Sequence, residues 1–169
     1  MNTANRSRIR YLLACMVIAA ALVSGGPATA ADPDFTLVFP AGTACNFNLQ
    51  IDGSGGNSHV REFTGKNGNV VRSIQAGTGS ALRFTNLDTG NTVSTKSNGA
   101  VSHITFNPNG SQTQTLTGHN VLILFPTDTP TGPSTMLIVG RVVFTVDVNG
   151  NFNVQEVSGN TTDICGALS

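Results

Sequence analysis

Short runs of alternating apolar and polar residues recur along the chain, and turn-forming residues bound each run. In ACNFNLQI, the side chains of Cys45, Phe47, Leu49 and Ile51 alternate with polar ones. Successive side chains of a strand point to opposite faces, so this period of two predicts a half-buried strand with Cys45 on its inner face. No segment after residue 30 carries a sustained helical period. The pattern therefore predicts an all-β fold with negligible helix.

Two of the predicted strands, VLILF at residues 121–125 and MLIVG at residues 136–140, are apolar on both faces. This pattern is typical of strands in the middle of a sheet that is covered on each side. We therefore expect both strands to be central, and adjacent across the proline-rich loop that separates them. The last segment, Ser158 to Ser169, is turn-like, and residues 163–165 are expected to return to the sheet.

Four of the breaks between the runs contain the dipeptide Asn-Gly, at residues 67–68, 98–99, 109–110 and 149–150. Asn and Gly tolerate the positive φ that both central positions of a type I′ hairpin turn require. Repeated turns at short spacing predict consecutive hairpins. We expect an antiparallel meander of roughly eight to ten strands, closed as a barrel or folded as a sandwich.

The first thirty residues do not fit this pattern and predict an export signal. Three arginines begin the segment, residues 11–23 are apolar, and small residues precede an expected cleavage between Ala30 and Ala31. The apolar run is too short for a comfortable membrane span, and a lipidation signal at Cys15 is disfavoured because apolar residues continue past it. We expect residues 31–169 to form one secreted, extracytoplasmic domain without a membrane span.

Removal of the signal changes the net charge of the chain. Three of the nine basic residues leave with it and all nine acidic ones stay, so residues 31–169 carry a net charge of −3. Nucleic acids and anionic membranes reward basic patches, so we expect neither as a partner. The six basic residues that stay are scattered along the sequence: Arg61, Lys66, Arg72, Arg83, Lys96 and Arg141.

Two cysteines, Cys45 and Cys165, stay in the exported chain. An even pair in an oxidising compartment predicts a disulfide, which would join the two ends of the domain and stabilise it by about 4–5 kcal/mol in the chain-entropy model. A reactive or metal-binding thiol pair is the alternative, but no other Cys or His stands at ligand spacing. Because His59, His103 and His119 also lack such spacing, we predict no metal site and no cofactor.

The stretch TNLDTG contains Asp88-Thr89-Gly90, the active-site triplet of aspartic proteases. Those enzymes use two carboxylates that share one proton, and this chain has a single triplet. The segment LIVGR at residues 137–141 resembles the apolar-apolar-Gly segment that supports the protease loop, but the small Ser or Ala that normally follows the triplet is missing after Gly90. Turn chemistry explains Asp88 and Gly90 equally well. The prediction is a hairpin turn, and a protease centred on Asp88 is the alternative.

Two further motifs are interpreted as a turn and a loop. DVNGNFN, at residues 147–153, places side-chain oxygen atoms at alternate positions as a calcium loop does, but its glycine is fourth where the EF-hand requires it sixth. We predict a hairpin turn there. The segment Gly53–Gly56 is interpreted as a flexible loop rather than a phosphate cradle, because no helix follows it. Since a GxSxG elbow is also missing from the sequence, we predict no catalytic residue.

Several short motifs together carry a resemblance to a known group of proteins. They are Cys45-Asn46-Phe47 after an early strand, the TNLDTG turn, Gly118 before an apolar strand, Gly140-Arg141 and the terminal Asp163-Ile164-Cys165. In this combination the chain resembles secreted β-domain proteins of high-GC Gram-positive bacteria. The resemblance covers most of residues 31–169 and implies a β-domain outside the cytoplasm. It implies no activity and no site residues.

These observations favour a secreted, non-enzymatic β-domain that binds a partner or belongs to the cell envelope. The partner classes expected are a glycan, a small apolar ligand held inside a barrel, and an envelope protein. A structural role in the envelope, through exposed strand edges, is a second hypothesis. The third is a secreted hydrolase of the aspartic-protease type at Asp88.

Overall fold

The computed structural model describes residues 32–169, which form ten β-strands and one short helix. The predicted signal, with its cleavage site between Ala30 and Ala31, lies outside the described residues. No helix within residues 32–169 is long and apolar enough to cross a membrane. The elements are β1 Phe35–Phe39, β2 Leu49–Ser54, β3 Asn57–Thr64, β4 Val70–Thr78, β5 Ala81–Asn86, β6 Thr92–Thr95, β7 Gly99–Phe106, β8 Gln112–Leu124, β9 Ser134–Val146, β10 Phe152–Asp163 and α1 Ile164–Leu168.

The strands form two antiparallel sheets, a small sheet in the order β1-β2-β5-β6 and a large sheet in the order β10-β9-β8-β7-β4-β3. Neither sheet closes on itself, so the fold is a sandwich-like pair of open sheets and not a barrel. The expectation of an all-β, antiparallel chain of eight to ten strands is confirmed. A meander runs from β7 to β10, whereas the β2–β5 and β4–β7 pairs join strands that are not consecutive.

Three short connections carry the chain from one sheet to the other. They are residues 55–56 between β2 and β3, residues 79–80 between β4 and β5, and residues 96–98 between β6 and β7. We call these three connections together the corner. Strands that switch sheets at bends in this way are typical of sandwiches in which one sheet turns into the next.

The Asn-Gly pairs do not all act as hairpin turns. The hairpin expected at Asn98–Gly99 is wrong, because β6 and β7 lie in different sheets and do not pair. The other three pairs do form hairpins, with positive φ at their glycines: 78° at Gly68, 84° at Gly110 and 88° at Gly150. The turns are not the expected type I′, because each glycine N–H donates to the carbonyl three residues before it, and the glycine is therefore the fourth residue of the turn and not a central one. The same dipeptide therefore serves both a reversal and a change of sheet.

The hydrophobic core is divided between the two faces of β8 and β9, which pair along their whole length. Val121, Ile123 and Leu137 pack against the cluster around Phe84 in the small sheet. Alternate residues of the same strands belong to a second cluster on the opposite face, which contains Leu122, Leu124, Ile138, Val142 and Phe144. This confirms that the two strands predicted to be apolar on both faces are adjacent and central.

A row of small residues crosses the strands of the large sheet. The register places Gly159, Gly140, Gly118, Ala100 and Gly77 side by side on β10, β9, β8, β7 and β4. The φ angles of 92° at Gly118 and 104° at Gly159 depart from the extended range, and a Cβ at either would overlap the backbone of a neighbouring strand. Glycine permits strands to bend at such positions. For this reason β8 continues through Gly118, where the sequence pattern breaks.

The two cysteines form the expected disulfide, with 5.6 Å between the Cα atoms of Cys45 and Cys165, although neither lies in the expected element. Cys45 belongs to a turn in which the Gly42 N–H donates to the Cys45 carbonyl over 2.7 Å, so the strand predicted from Cys45 begins only at Leu49. Cys165 lies on α1. Residues 158–163, which were expected to be turn-like, belong to β10, because β9 pairs with that strand as far as Asp163.

Candidate functional site

The Asp88 segment is a hairpin turn between β5 and β6, organised by the buried side chain of Asn86. The Asn86 Oδ1 atom accepts from the N–H of Asp88 over 2.9 Å and from that of Thr89 over 3.3 Å. The Asn86 N–H donates to the Asn91 carbonyl, which closes the hairpin, and the Gly90 N–H donates back to Asn86. Asp88 and Gly90 thus stand where turn chemistry requires them, as predicted.

The carboxylate of Asp88 is engaged with an amide and not with a second carboxylate. Its Oδ1 accepts from Asn48 Nδ2 over 2.7 Å and its Oδ2 accepts from the Asn48 N–H over 3.3 Å. A protease dyad requires two carboxyl groups that share one proton. These contacts instead tie the turn to the start of β2, which is a structural role.

Asp147 likewise stabilises a turn, the one between β9 and β10. Its Oδ1 accepts from the N–H groups of Asn149 and Asn151 over 2.8 and 2.9 Å, and its Oδ2 accepts from Asn151 Nδ2 over 3.0 Å. The backbone N–H of Asn151 is the main cause that holds the pKa of Asp147 below its ordinary value. No group of three or more His, Cys, Asp or Glu side chains within residues 32–169 is placed to hold a metal ion.

The buried carboxylate of Asp52 also has a structural role, in joining three strands of the small sheet. It accepts from Thr36 Oγ1 over 2.8 Å, from Gln50 Nε2 over 2.8 Å and from Arg83 Nη2 over 3.1 Å. The hydrogen bond from Thr36 is the largest of the contributions that lower the pKa of Asp52, with those of Gln50 and Arg83 behind it. Thr36, Asp52 and Arg83 lie in one register row across β1, β2 and β5.

A cleft with a volume of about 470 Å³ opens beside the corner, and we call it the corner cleft. Its walls are the glycines of the corner and the residues of β3, β4, β7 and β8 that border it. The polar side chains that line it include those of Ser58, Gln75, Ser80, Ser102 and Asn120. This volume falls within the range of about 300–1,000 Å³ that small-molecule sites occupy.

The corner cleft exists because the strands separate there. β7 pairs with β8 only as far as Ala100 opposite Gly118. The residues that precede β7 lead back to β6, which belongs to the small sheet. Hydrogen bonds hold the three crossovers together at this position. Ser80 Oγ donates to the Gly55 carbonyl over 2.9 Å, and the Gly79 N–H donates to the Asn98 carbonyl over 2.9 Å.

The lining of the corner cleft is polar but uncharged, since every residue that lines it is Gly, Ala, Ser, Thr, Asn or Gln. Gln75 Nε2 donates to Ser58 Oγ over 2.8 Å, which fixes the amide across the β3–β4 pair. Asn120 Nδ2 is buried and has no acceptor among the described residues. A buried donor without a partner is unfavourable by about 1–3 kcal/mol, so Asn120 Nδ2 is an unsatisfied donor in the wall of the cleft.

A smaller, more apolar cleft of about 280 Å³ adjoins the first and shares Gly79, Ser80, Ala100 and Asn120 with it. Leu82 and Val121 contribute to its walls, together with the ring of Phe35. That ring covers the backbone of β2 at Gly53, where a Cβ would overlap it. Phe35 is nevertheless 40% exposed, so an aromatic surface stands beside the uncharged polar cleft.

The corner cleft was not predicted from the sequence, because its residues come from four strands and three crossovers. The segment Gly53–Gly56 was interpreted as a flexible loop. Its first two residues end β2, and its last two form the first connection of the corner. The accumulation of glycine there and at residues 77–79 was the available signal. Two close groups of glycines mark positions at which backbones approach one another.

Comparisons of the chain with protein families, with curated proteins and with solved structures found no significant match.

Proposed function

We propose that this chain is a secreted, non-enzymatic binding module of the cell envelope, and that the corner cleft holds a neutral oligosaccharide. The observation that carries this proposal is a cleft of ligand size whose lining is wholly uncharged, beside the exposed ring of Phe35. Export is proposed from the predicted signal, and the disulfide between Cys45 and Cys165 fits an oxidising compartment.

A neutral sugar matches the hydrogen-bonding groups of the cleft. Hydroxyls and amides both donate and accept, as the hydroxyl groups of a sugar do, so the side chains of Gln75 and Ser102 complement it in either sense. A charged group inside the corner cleft would be desolvated without an opposite charge to compensate it, whereas the adjoining cleft at Phe35 contains Lys96. The ring of Phe35 offers a surface on which the apolar face of a sugar ring can lie.

The other partner classes have less support. A small apolar ligand was expected inside a barrel, but the two open sheets enclose no barrel interior, and the corner cleft is mainly polar. The alternative of a hydrolase at Asp88 has no geometric support, since both oxygens of that carboxylate accept hydrogen bonds from Asn48.

The proposal is tested by calorimetric titration of the exported protein with neutral cello-, malto- and chito-oligosaccharides. Calorimetry is preferred because the chain contains no Trp. Ser102→Tyr fills the cleft and should abolish binding, and Gln75→Ala should weaken it about fivefold through the loss of a net hydrogen bond. Ser94→Tyr, at an exposed position of β6 outside the cleft, is the matched control and should bind normally. The proposal fails if no oligosaccharide binds, or if both tyrosine variants bind alike.

A further inference from the structure

Two arginines that are distant in the sequence meet on the outer part of the large sheet. The register pairs Phe63 of β3 with Arg72 of β4, and Arg61 lies two residues before Phe63 on the same face. The guanidinium carbon of Arg61 lies 5.1 Å from the centre of the Phe63 ring, and that of Arg72 lies 4.3 Å from it. Both cations are therefore held against one aromatic ring.

Among residues 32–169, neither of these arginines has a carboxylate partner. Within residues 32–169, the basic side chains that form ion pairs are Arg83, with Asp52, and Arg141, with Glu156. Glu62 stands between Arg61 and Phe63 in sequence, and the alternation of a strand sends its side chain to the opposite face. Two exposed positive charges thus stand together, in a domain whose net charge is −3.

A strip of hydroxyl groups continues from the arginines across the same face. The row that contains Phe63 and Arg72 continues through Thr105 of β7, Thr113 of β8 and Thr145 of β9. Thr115 and Thr117 follow Thr113 on the same face of β8, because alternate residues share a face. The same rows also contain His103, opposite Thr115, and the Arg141–Glu156 ion pair at the β9–β10 end of the face. We call Arg61, Phe63, Arg72 and these five threonines the arginine–threonine face.

The arginine–threonine face is separate from the corner cleft. Ser58, Gln75 and Ser102 of the cleft occupy positions of opposite parity to Arg61, Arg72 and Thr105 on the same three strands. Because the side chains of a strand alternate between faces, the two surfaces lie on opposite sides of the sheet. A ligand on one need not contact the other.

We propose that the arginine–threonine face binds an acidic polysaccharide, with carboxylates at Arg61 and Arg72 and sugar hydroxyls along the threonine strip. The planar fork of a guanidinium matches a carboxylate with two parallel hydrogen bonds. A flat row of hydroxyls suits a polyhydroxylated chain that lies across the strands, which are spaced by about 4.8 Å. A densely charged polymer such as a nucleic acid fits less well, because only two unpaired arginines stand in a face of a negatively charged domain.

The test measures the affinity of the exported protein for polygalacturonate, by surface-immobilised binding at two salt concentrations. Arg61→Gln and Arg72→Gln should each weaken binding about tenfold, the loss expected for a charge-assisted hydrogen bond. Lys66→Gln, which removes the same charge from the turn of the same hairpin, should change affinity less than twofold. Arg72→Lys keeps the charge but loses the planar fork, so it should weaken binding nearly as much as Arg72→Gln.

Three competitors decide between sources of binding. Dextran, which is neutral, should not displace polygalacturonate. Single-stranded DNA and inorganic polyphosphate should bind more weakly, and tighter binding of either would overturn the assignment to a polysaccharide. Equal losses in Arg72→Gln and Lys66→Gln would also overturn it, since they would indicate unspecific charge attraction. Ser102→Tyr should leave polygalacturonate binding unchanged, so this proposal and that for the corner cleft can fail independently.

Discussion

Reduction of the disulfide should destabilise the folded chain by about 5 kcal/mol. Cys45 and Cys165 are separated by 120 residues, and the chain-entropy model assigns about 4.9 kcal/mol to a loop of this length. A domain is commonly stable by only about 5–15 kcal/mol, so the reduced protein should be close to the limit of stability. Reduction keeps both side chains in place, and it therefore tests the cross-link without the cavity that a substitution would create.

The effect should arise mainly in the unfolded state, whose chain entropy the bridge restricts. Beside the bridge, Thr135 Oγ1 donates to the Ala44 carbonyl over 3.0 Å, a hydrogen bond in which neither sulfur is donor or acceptor. Urea unfolding of the oxidised and reduced protein, followed by far-UV circular dichroism, measures the difference. The reduced chain should have a lower midpoint and a larger m-value, since an unlinked unfolded chain exposes more surface.

Thr135→Val provides the control for local packing. It removes the hydrogen bond to Ala44 and should cost about 1 kcal/mol in the oxidised and the reduced chain alike. The reasoning is refuted if reduction lowers the free energy of unfolding by less than about 1 kcal/mol, where loop closure predicts about 5 kcal/mol. It is also refuted if, without denaturant, the reduced chain and oxidised Thr135→Val both lose the native circular dichroism spectrum. Local packing, and not chain entropy, would then be responsible.

Three further predictions concern single positions. Gly118→Ala should destabilise by about 1–3 kcal/mol more than Gly150→Ala, because both have positive φ but only the first Cβ would overlap backbone; equal midpoints in urea would contradict this. Asn86→Ala should lower the free energy of unfolding by about 2 kcal/mol, because the hydrogen bonds to the Asp88 and Thr89 N–H groups are lost. Asp88→Asn should lower it by less than about 1 kcal/mol, and neither the original protein nor this variant should cleave peptides at acid pH. Hydrogen bonds hold the pKa of Asp52 below its ordinary 3.8, so its contribution to stability is present above pH 3.8 and is lost as pH falls through the folded value. Asp52→Asn should therefore flatten the acid limb of stability against pH, and an unchanged limb would disprove the assignment.

Much of the fold could be predicted from local pattern. The apolar runs of β8 and β9 predicted central, adjacent strands, because burial on both faces leaves no polar position in the sequence. The hairpins at Gly68, Gly110 and Gly150 were predicted from their Asn-Gly pairs. The Asn98–Gly99 pair has the same composition, yet it leads into a strand of the other sheet. Which sheet receives the next strand is decided by distant pairing, and a dipeptide carries no information about that.

The surfaces proposed for binding were harder to predict than the fold. The six basic residues were expected to be scattered, but Arg61 and Arg72 meet because the hairpin at residues 67–68 folds β3 onto β4. Counting outward from that turn would have placed Arg72 close to Phe63. The corner cleft offers no such local rule. Ser58, Ser102 and the crossovers come together only when the strands separate into two sheets.

Mapping of amide chemical shifts in the ¹⁵N-labelled exported protein tests the central claim, that the corner cleft is the binding site, most directly. The protein is titrated with neutral cello-, malto- and chito-oligosaccharides. Shifts should concentrate at Gly55, Gly79, Ser102 and Asn120, which line the cleft, and Ser102→Tyr should remove them. Shifts confined to the turn at Asp88, or no shifts with any of the three sugars, would contradict the account.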